Sequence, residues 1–521
     1  MPGGGLLNLI CYGTQNVILS GNPDMTYFYK TFKKYTHFAL ESTSKGMDGP
    51  TDYPFDKSIQ LKARVDRVGD LLTDLYFSFQ IPAIYSKYQQ IDPVNGPKKQ
   101  QEFKWVRAVG AAAIQSVYVT VGPNKIQEFT GEYLMARAVI DYPVDKFAKW
   151  QRLVGDIPEL NDPANGLYGN PAVSTGVYPT VFPDQRNATQ NNSPSIPSYT
   201  VYVPIPFWFT EEGQALPLVG LQYYTVDITI NLNPSQNLYT TLDLSGFRTA
   251  PGYRVDTANA DPLFPNTPYF MNADNSTTQM KNFLTDVNQT IPPLNTWSFF
   301  PTIHTTYAFL PEQERLIFAS SPLIYVTRQV TPIIFQEITG NTLLDLDIHN
   351  PITRLIMIPR RSDVILYKND FMNFTNWITY PLRPRIDTSV PSGSSYSQSQ
   401  SSSGLLVANS QLDIIQNMRV LADGNEIQEL KPTAFYTDMT AFKYLSGGAN
   451  THIPVYTFEL HSPTSQPAGS LNSSRIRRFQ LDLQVYPLPV NSTYIYNMNI
   501  YVENLNFFIV ESGMGDNKYA L

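Results

Sequence analysis

The chain has 521 residues, of which 42% are hydrophobic, 13% are aromatic and only 16% are charged. This length accommodates two β-sandwiches of about 200–250 residues each, and few charges combined with many aromatic residues favour sheets over helices. The net charge of −7 argues against a surface dedicated to nucleic-acid phosphates, which requires clustered Lys and Arg. Because Cys11 is the single cysteine, neither an internal disulfide nor a zinc site of several thiolates is expected.

The N-terminal segment lacks the pattern of a signal peptide. Its first cation is Lys30, so the positively charged start of such a peptide is missing. No uninterrupted apolar run reaches the ~18 residues that span a bilayer. We therefore expect a soluble chain that is not secreted by a cleavable signal. Residues 1–25 contain too few alternating positions for a strand, and we expect an extended arm there, with simple disorder as the alternative.

Three segments alternate strictly between apolar and polar residues and are predicted to be β-strands: 59–66, 226–232 and 479–485. Side chains on a strand point alternately to its two faces, so each segment has one buried and one solvent-facing side. This pattern is typical of antiparallel sandwiches rather than of parallel sheets that are buried on both faces.

Helical signals are few and short. One helix is predicted to begin at Pro311, which is followed by acidic residues, and another covers 145–155 and ends near Gly155. Long polar segments rich in Asn, Pro, Ser and Gly are predicted to be loops, at 156–200, 249–296 and the low-complexity stretch 391–404. Loops of this length usually carry function or decorate a surface.

An internal repeat is the most informative feature of the sequence. Residues 114–129, IQSVYVTVGPNKIQEF, recur as residues 415–430, IQNMRVLADGNEIQEL, at a constant offset of 301 positions with seven identities. Both copies have the pattern of a strand, a polar turn and a second strand, which predicts a hairpin. Hairpins also look alike by chance, but hairpin formation does not dictate the shared Ile-Gln-Glu run. We therefore predict two copies of one sandwich with a junction near 311–325.

Five parts of the sequence carry a family signal. They are YGTQNVILSGNPDMTYFYKTFKKYTHFALES at 12–42; RVGDLLTDLYFSFQIP at 67–82 with VGAAAIQSVYVTVGPNKIQEFTGEYL at 109–134; VPIPFWFTEEGQALPLVGLQYYTVDITINL at 203–232; YAFLPEQERLIFASSPLIYVTRQV at 307–330; and GSLNSSRIRRFQLDL at 469–483 with YIYNMNIYVENLNFFIVESGMG at 494–515. In this order they resemble the major capsid proteins of nucleocytoplasmic large DNA viruses. The chain departs from the family pattern at Ser473, where family members often have an aromatic residue, and the three long loops match nothing in the family.

The resemblance implies an all-β fold of two tandem eight-stranded antiparallel jelly rolls, a double jelly roll, with long loops and few short helices. It places an N-terminal arm at 1–25, the first jelly roll at 26–315 and the second at 316–521. It also implies a homotrimer, in which six similar sandwiches make a nearly hexagonal capsomer that tiles an icosahedral facet.

The function implied by the resemblance is that of a major capsid protein, which self-assembles into the icosahedral shell of a large double-stranded DNA virus. Enzyme activity and cofactors are not expected. The implied partners are further copies of the chain, neighbouring trimers, minor capsid proteins, a penton protein and internal viral membrane proteins, without direct contact to nucleic acid. The N-terminal arm is expected to reach the minor capsid proteins or the membrane-facing side. The implied location is the virion capsid, assembled in the host cytoplasm.

Two small basic clusters are candidate subunit contacts. Arg475, Arg477 and Arg478 follow Ser474, and Arg360 with Arg361 forms a second pair. We predict that they pair with acids of a neighbouring subunit or of the other half of the chain. The alternative is a solvated or locally paired strand end. Neither cluster is large enough to indicate nucleic-acid binding.

Seven asparagines head N-x-[ST] sequons and are candidate glycosylation sites: Asn187, Asn191, Asn275, Asn288, Asn373, Asn472 and Asn491. Glycans on outer loops are the functional interpretation. Chance occurrence in an Asn-rich chain is the alternative. The five histidines lack the spacing of a metal-binding motif, so no metal site is expected.

A carbohydrate-binding or glycoside-cleaving β-sandwich is the rival interpretation. Tyr and Trp side chains stack on sugars, and a glycosidase needs two opposed carboxylates only ~5–10 Å apart. The resemblance over the whole chain and the duplicated sandwich argue against this rival. A penton or minor capsid protein is a third alternative, but a penton is expected to have a single jelly roll.

Overall fold

The computed structural model describes most of the chain. The described residues are 13–15, 17–86, 88–90, 98–100, 102–165, 178–179, 194–242, 248–256, 269–272, 277–286, 289–376, 412–447, 452–461, 466–488, 492 and 494–519. The predicted loop at 391–404 lies outside them, as do parts of the predicted loops at 156–200 and 249–296.

The described residues form 28 strands, numbered here in chain order. The strands up to residue 309 are β1 (Ala39–Gly46), β2 (Asp52–Tyr53), β3 (Ile59–Arg64), β4 (Leu71–Ile81), β5 (Tyr88–Gln90), β6 (Lys98–Gln100), β7 (Phe103–Trp105), β8 (Ile114–Val121), β9 (Asn124–Thr130), β10 (Tyr199–Pro204), β11 (Leu216–Pro217), β12 (Val226–Leu232), β13 (Tyr239–Leu242), β14 (Arg248–Thr249), β15 (Tyr253–Asp256), β16 (Tyr269–Asn272), β17 (Trp297–Ser298) and β18 (Thr302–Phe309). The later strands are β19 (Leu323–Ile338), β20 (Thr342–Leu346), β21 (Pro351–Arg361), β22 (Ile415–Ala422), β23 (Asn425–Pro432), β24 (Val455–Thr457), β25 (Leu471–Asn472), β26 (Phe479–Val485), β27 (Tyr496–Glu511) and β28 (Met514–Asn517).

Helices are short throughout the described ranges. They are α1 (Val17–Ser20), α2 (Val109–Ala113), α3 (Gly131–Asp141), α4 (Val144–Val154), α5 (Pro158–Asn161), α6 (Glu312–Ser320), α7 (Ser362–Lys368), a π-helical turn (Phe435–Met439) and α8 (Thr440–Tyr444). Single 3-10 turns occur at Pro163–Asn165, Trp208–Thr210, Leu218–Gly220, Ser235–Asn237, Met280–Asn282 and Ser473–Arg475. No helix among the described residues is long and apolar enough to cross a membrane.

The predicted helices are confirmed as α4 and α6. Helix α4 ends where predicted, because Gly155 adopts the left-handed conformation (φ 79°) that stops a helix without steric cost. Helix α6 follows Pro311 and carries Glu312 and Glu314 in its first turn, where acids favour the helix dipole.

The first half of the chain forms a sandwich of two antiparallel sheets. One sheet has the order β1-β18-β4-β10, and the facing sheet has the order β3-β12-β8-β9. Alternation determines which side is buried: Leu61 and Ala63 of β3 lie in the core, whereas Lys62 between them is exposed. The predicted strand at 59–66 therefore exists but ends at Arg64.

The second half repeats this arrangement strand for strand. Its sheets have the orders β19-β27-β21-β24 and β20-β26-β22-β23, again antiparallel. The predicted strand at 479–485 is confirmed as β26, at the second position of its sheet, as β12 is in the first half. The two copies of the sequence repeat are the hairpins β8–β9 and β22–β23, which occupy the same place in the two sandwiches. Helix α6 connects the two sandwiches. The predicted domain boundaries at 25 and 315 stay a prediction.

Apolar packing joins the two sandwiches. The core of the first sandwich is continuous with buried residues of the second, among them Ile356 and Ile358 of β21 and Phe508 of β27. A separate cluster, which includes Leu481 and Met418, fills the second sandwich itself. The outer face of β27 and β21 is thus largely an internal interface, whereas Ile324 and Ile334 of the neighbouring strand β19 remain exposed.

Candidate assembly interface

One edge of the first sandwich lies on the outer face of the second. We call this edge the first docking edge; it consists of β9 and α3. Gln127 of β9 donates a hydrogen bond from its side chain to the Arg328 carbonyl oxygen, and its Oε1 accepts one from the Trp208 backbone nitrogen (3.0 Å). The carbonyl oxygen of Ile126 accepts hydrogen bonds from Gln329 (3.4 Å) and Asn517 (3.1 Å). The repeated Ile-Gln pair therefore bonds to the other sandwich, Gln127 through its side chain and Ile126 through its carbonyl oxygen.

Aromatic rings fill the space behind these hydrogen bonds. Phe129 stacks between Tyr133 and Phe207, with ring centroids 5.3 Å and 5.6 Å away. Trp208 crosses to the second sandwich, where it packs on Tyr325 (4.6 Å) and Phe508 (5.2 Å). Buried aromatic pairs of this kind add specific geometry to a large area of apolar burial.

A buried charged network lies at the centre of the interface. Arg354 of β21 donates two hydrogen bonds to Asp141 at the end of α3, both 2.7 Å long, and a third of 2.7 Å to Glu503 of β27. The hydroxyl of Tyr133 donates to the same Glu503 oxygen at 2.7 Å. Arg354 and Glu503 are almost entirely removed from solvent. Because removing one partner would strand a buried charge, this network holds α3 against the second sandwich.

Electrostatics keep the network ionised. Burial disfavours the Glu503 carboxylate, but the Arg354 guanidinium outweighs this effect and lowers the pKa of Glu503 to about 2. The two carboxylates in turn hold the pKa of Arg354 well above its ordinary value despite burial. Burial, reinforced by Glu503, raises the pKa of Tyr133 well above 10, so the phenol remains a hydrogen-bond donor.

Helix α3 is positioned by its own first turn. Thr130 caps it by accepting a hydrogen bond from the Tyr133 backbone nitrogen (3.2 Å). Glu132 then faces the second sandwich and accepts hydrogen bonds from Asn499 (2.7 Å) and Tyr501 (2.5 Å). These polar contacts surround the buried centre, as in interfaces with an apolar core and a polar rim.

Comparisons with known protein families agree with this architecture. The family described as "Major capsid protein N-terminus" matches residues 26–269, and the family described as "Large eukaryotic DNA virus major capsid protein" matches residues 314–516. The chain belongs to the major capsid proteins of large eukaryotic DNA viruses. It is accordingly a component of the virion capsid, as the sequence resemblance predicted.

Relatives of this capsid protein are distant in sequence. The major capsid protein of Phaeocystis pouchetii virus is 23% identical, and the match covers 99% of each chain. The major capsid protein of Paramecium bursaria Chlorella virus 1 is 22% identical, with 99% of each chain covered. Capsid protein 1 of Acanthamoeba polyphaga mimivirus is 29% identical, but that match spans 46% of this chain and only 36% of the relative.

Solved structures show the same fold. The PBCV-1 virus capsid matches with a TM-score of 0.64 at 17% identity, covering 95% of this chain and 100% of that chain. The Faustovirus major capsid protein matches with a TM-score of 0.62 at 14% identity, covering 96% and 94%. The predicted fold class, two tandem jelly rolls with few short helices, is confirmed.

The five candidate interface arginines occupy two different environments. Arg360 is buried and pairs with Glu132 of the first sandwich (3.1 Å), and Arg361 is buried against Asp363 of its own sandwich (2.6 Å). Their guanidinium groups are thus enclosed by the capsid protein's own chain. Arg475, Arg477 and Arg478 are exposed, and Arg478 pairs with Asp345 through two 3.0 Å hydrogen bonds. A contact of these arginines with another subunit stays a prediction.

Two of the candidate sequons lie in described parts of the capsid protein. Asn373 is buried, and its side-chain oxygen accepts hydrogen bonds from the backbone and hydroxyl of Thr375. A glycan on Asn373 would require this turn to open. Asn472 is exposed and caps the turn at Ser474 (3.2 Å). The sequons outside the described residues are Asn187, Asn191, Asn275, Asn288 and Asn491.

Within the described ranges, no three His, Cys, Asp or Glu side chains are grouped so that they could hold a metal ion. His304 contacts the hydroxyl of Ser78 (2.8 Å), and His452 contacts Asp413 (3.0 Å).

Proposed function

We propose that this capsid protein functions as a homotrimeric, pseudo-hexagonal capsomer that self-assembles into an icosahedral shell. The observation that carries the proposal is the identical strand order of the two sandwiches, packed side by side through one extensive interface. Three such chains supply six similar columns, and a three-fold particle then approximates a hexagon. Hexagonal units tile a large flat facet with few kinds of contact.

The proposed mechanism separates strong from weak contacts. Burial of apolar surface between subunits holds each trimer together permanently, as in obligate oligomers. Contacts between trimers are smaller and more polar, so misplaced trimers can dissociate before the shell closes. The long loops are proposed to face the exterior, where variation is tolerated.

The remaining roles extend this proposal. The chain acts as a structural component without enzyme activity or a cofactor, and its assembly takes place in the host cytoplasm. Its partners are neighbouring trimers, minor capsid proteins, a penton protein and internal viral membrane proteins. The segment 1–25 is proposed to contact the minor capsid proteins or the membrane-facing side. In the described part of the structure, residues 17–38 are exposed, which supports a contact made outside the chain's own core.

Solution mass and electron microscopy test the proposal. Light scattering coupled to size-exclusion chromatography is expected to give about three times 58.8 kDa, and negative-stain images are expected to show a hexagonal outline. A stable monomer would contradict the proposal. A monomer that binds oligosaccharides would instead support the rival interpretation of a carbohydrate-binding sandwich.

A further inference from the structure

The second copy of the repeat leaves exposed what the first copy buries. The second docking edge, defined as β23 with the helical segment 433–444, occupies the place of β9 and α3. Ile126 is 0% exposed, whereas its counterpart Ile427 is 38% exposed. Phe129 is 2% exposed; a β-bulge in β23 gives its pairing position to Lys431, and the neighbouring Leu430, which follows the repeated Ile-Gln-Glu run, is 43% exposed. The second docking edge is therefore uncovered in the single chain, although its equivalent, the first docking edge, is covered by the second sandwich.

The helical segment extends this uncovered surface. Phe442 of α8 is 94% exposed and Met439 of the π-helical turn is 63% exposed, and both are large apolar side chains. In the first sandwich most of α3 is buried, including Leu134 and Val139. Several exposed large apolar side chains on one edge of a sandwich indicate a surface that another protein covers.

The structure also contains an uncovered counterpart of the receiving sheet. Strands β4 and β21 carry the same irregularity, a β-bulge at Thr73 and at Thr353. The hydroxyl of Thr73 donates to the Thr306 carbonyl oxygen (3.1 Å), and that of Thr353 donates to the Glu503 carbonyl oxygen (3.2 Å). This shared bulge aligns the β1-β18-β4 sheet with the β19-β27-β21 sheet residue by residue.

The alignment identifies the receiving residues. Thr306 and Glu503 are equivalent positions, and their strand partners are Ser42 and Val330. Two residues before these partners, Leu40 therefore takes the place of Arg328. Leu40 and Ser42 are exposed, whereas Arg328 is buried beneath the first docking edge. The outer face of β1-β18-β4 is thus open where its equivalent is covered.

We propose that the second docking edge of one chain binds the outer face of β1-β18-β4 in a second copy of the chain. The contact repeats, between chains, the contact that the first docking edge makes within one chain. The Gln428 side chain then donates to the Leu40 carbonyl oxygen, as Gln127 donates to the Arg328 carbonyl oxygen. This inference rests on the proposed trimer and specifies its interface.

In the proposed trimer this contact closes a ring. Every chain offers one second docking edge and one β1-β18-β4 face, so the contact is head-to-tail and each copy uses both surfaces once. Because the contact inside the chain and the contact between chains join equivalent surfaces, they relate successive sandwiches by similar rotations. Three chains with six sandwiches then leave neither surface uncovered.

Opposite charges distinguish the two contacts. By the bulge alignment, Asp74 occupies the position of Arg354. The first docking edge brings Asp141 to Arg354, whereas the last turn of the second docking edge carries the exposed Lys443. Lys443 is expected to approach Asp74. The first docking edge of one chain is excluded from the β1-β18-β4 face of another, because Asp141 would meet Asp74 there.

Charge reversal tests this interface. Asp74→Lys and Lys443→Asp, each alone, are expected to lose the trimer peak in light scattering, and the double variant is expected to regain it. The matched control is Asp56→Lys, because Asp56 is exposed in the loop before β3 of the opposite sheet. Circular dichroism and urea unfolding establish that each variant is folded. If the wild-type chain is trimeric but both single variants are also trimeric, the inference is overturned while the proposed function stands.

Cross-linking provides an independent readout. In a Cys11→Ser background, Gln428→Cys combined with Leu40→Cys is expected to give covalent dimers and trimers with a short bismaleimide. The control pair Gln428→Cys with Asp56→Cys is expected to give monomers on a denaturing gel. Trimeric wild-type protein whose Gln428→Cys, Leu40→Cys variant stays monomeric on that gel would also overturn the inference. A monomeric wild-type chain would instead refute the proposed function itself.

Discussion

The buried network at the interface makes the stability of the chain depend on pH in a defined way. The pKa of Glu503 falls from 4.5 to about 2 on folding, because Arg354 stabilises the carboxylate more than burial destabilises it. This difference corresponds to about 3 kcal/mol, at ~1.4 kcal/mol for each factor of ten in proton affinity. The folded pKa is lowered, so this stability is present above pH 4.5 and is lost as pH falls from 4.5 to about 2.

Glu503→Gln removes this contribution while keeping the shape of the side chain. We expect the variant to be about 3 kcal/mol less stable than wild type at pH 7, and the difference to shrink towards zero near pH 2. Urea unfolding followed by tryptophan fluorescence, repeated from pH 7 to pH 2, measures both curves at equal chain concentration. Other carboxylates titrate in both proteins, so the difference between the curves isolates Glu503.

A matched control separates the network from a general effect of the substitution. Glu511→Gln makes the same change at an exposed position of the same strand, and its stability is expected to stay within about 0.5 kcal/mol of wild type at every pH. Parallel stability curves for Glu503→Gln and wild type between pH 4.5 and pH 2 would refute the assignment of a lowered pKa to Glu503.

Three further substitutions test the packing between the two sandwiches in the same urea assay. Tyr133→Phe is expected to cost about 1–2 kcal/mol, because the buried Glu503 loses a hydrogen-bond donor; an unchanged stability would contradict that bond. Gly131→Ala is expected to cost about 1–3 kcal/mol or more, because the new Cβ would overlap two backbone carbonyl oxygens. The control Gly340→Ala has open space around its Cβ and should leave stability unchanged. Equal effects of the two substitutions would refute the steric argument. Trp208→Ala is expected to lower the free energy of unfolding by about 3–5 kcal/mol. A smaller loss would contradict tight packing of Trp208 on Tyr325 and Phe508.

The sandwich architecture was predictable because it leaves a local signature. Strands that bury one face alternate in sequence; in β26 the apolar Leu481 and Leu483 are buried, whereas Asp482 between them is half-buried. The duplication was predictable because both copies retain the Ile-Gln-Glu run. The structure supplies a physical reason for the retained Gln, since the Gln127 side chain donates to the Arg328 carbonyl oxygen of the other sandwich and accepts from the Trp208 backbone nitrogen.

Helix α3 escaped prediction because it is buried on nearly all sides. Nine of its eleven residues are buried, so no polar face marks the helical period. Its first residues also continue directly from a strand of the repeat. A helix enclosed by two sandwiches lacks the amphipathic pattern by which sequence analysis recognises helices at a surface.

The charged network could not be predicted because its members are far apart in sequence. Arg354 lies 213 positions from Asp141 and 149 from Glu503, and none of the three stands in a cluster of charges. Two clusters do stand out in the sequence: Arg360 with Arg361, and the three arginines near 477. Of these, Arg360, Arg361 and Arg478 bind acids of their own chain. Charge density along a sequence is therefore a poor guide to which charges a fold buries.

The two copies of the docking edge differ in a way that fits their proposed order of use. The first edge forms as the chain folds, so it can carry large aromatic rings and a buried charged network without exposing them. The second edge must remain in water until another chain arrives. Its Leu430 and Lys431 lie where the first edge has Phe129, and the proposed receiving face presents hydroxyl pairs such as Ser42 with Thr306 (2.9 Å). Exposed apolar side chains of the second edge, Phe442 among them, contribute apolar area to the proposed contact, and the charges of Asp74 and Lys443 then select the partner that apolar area alone would not.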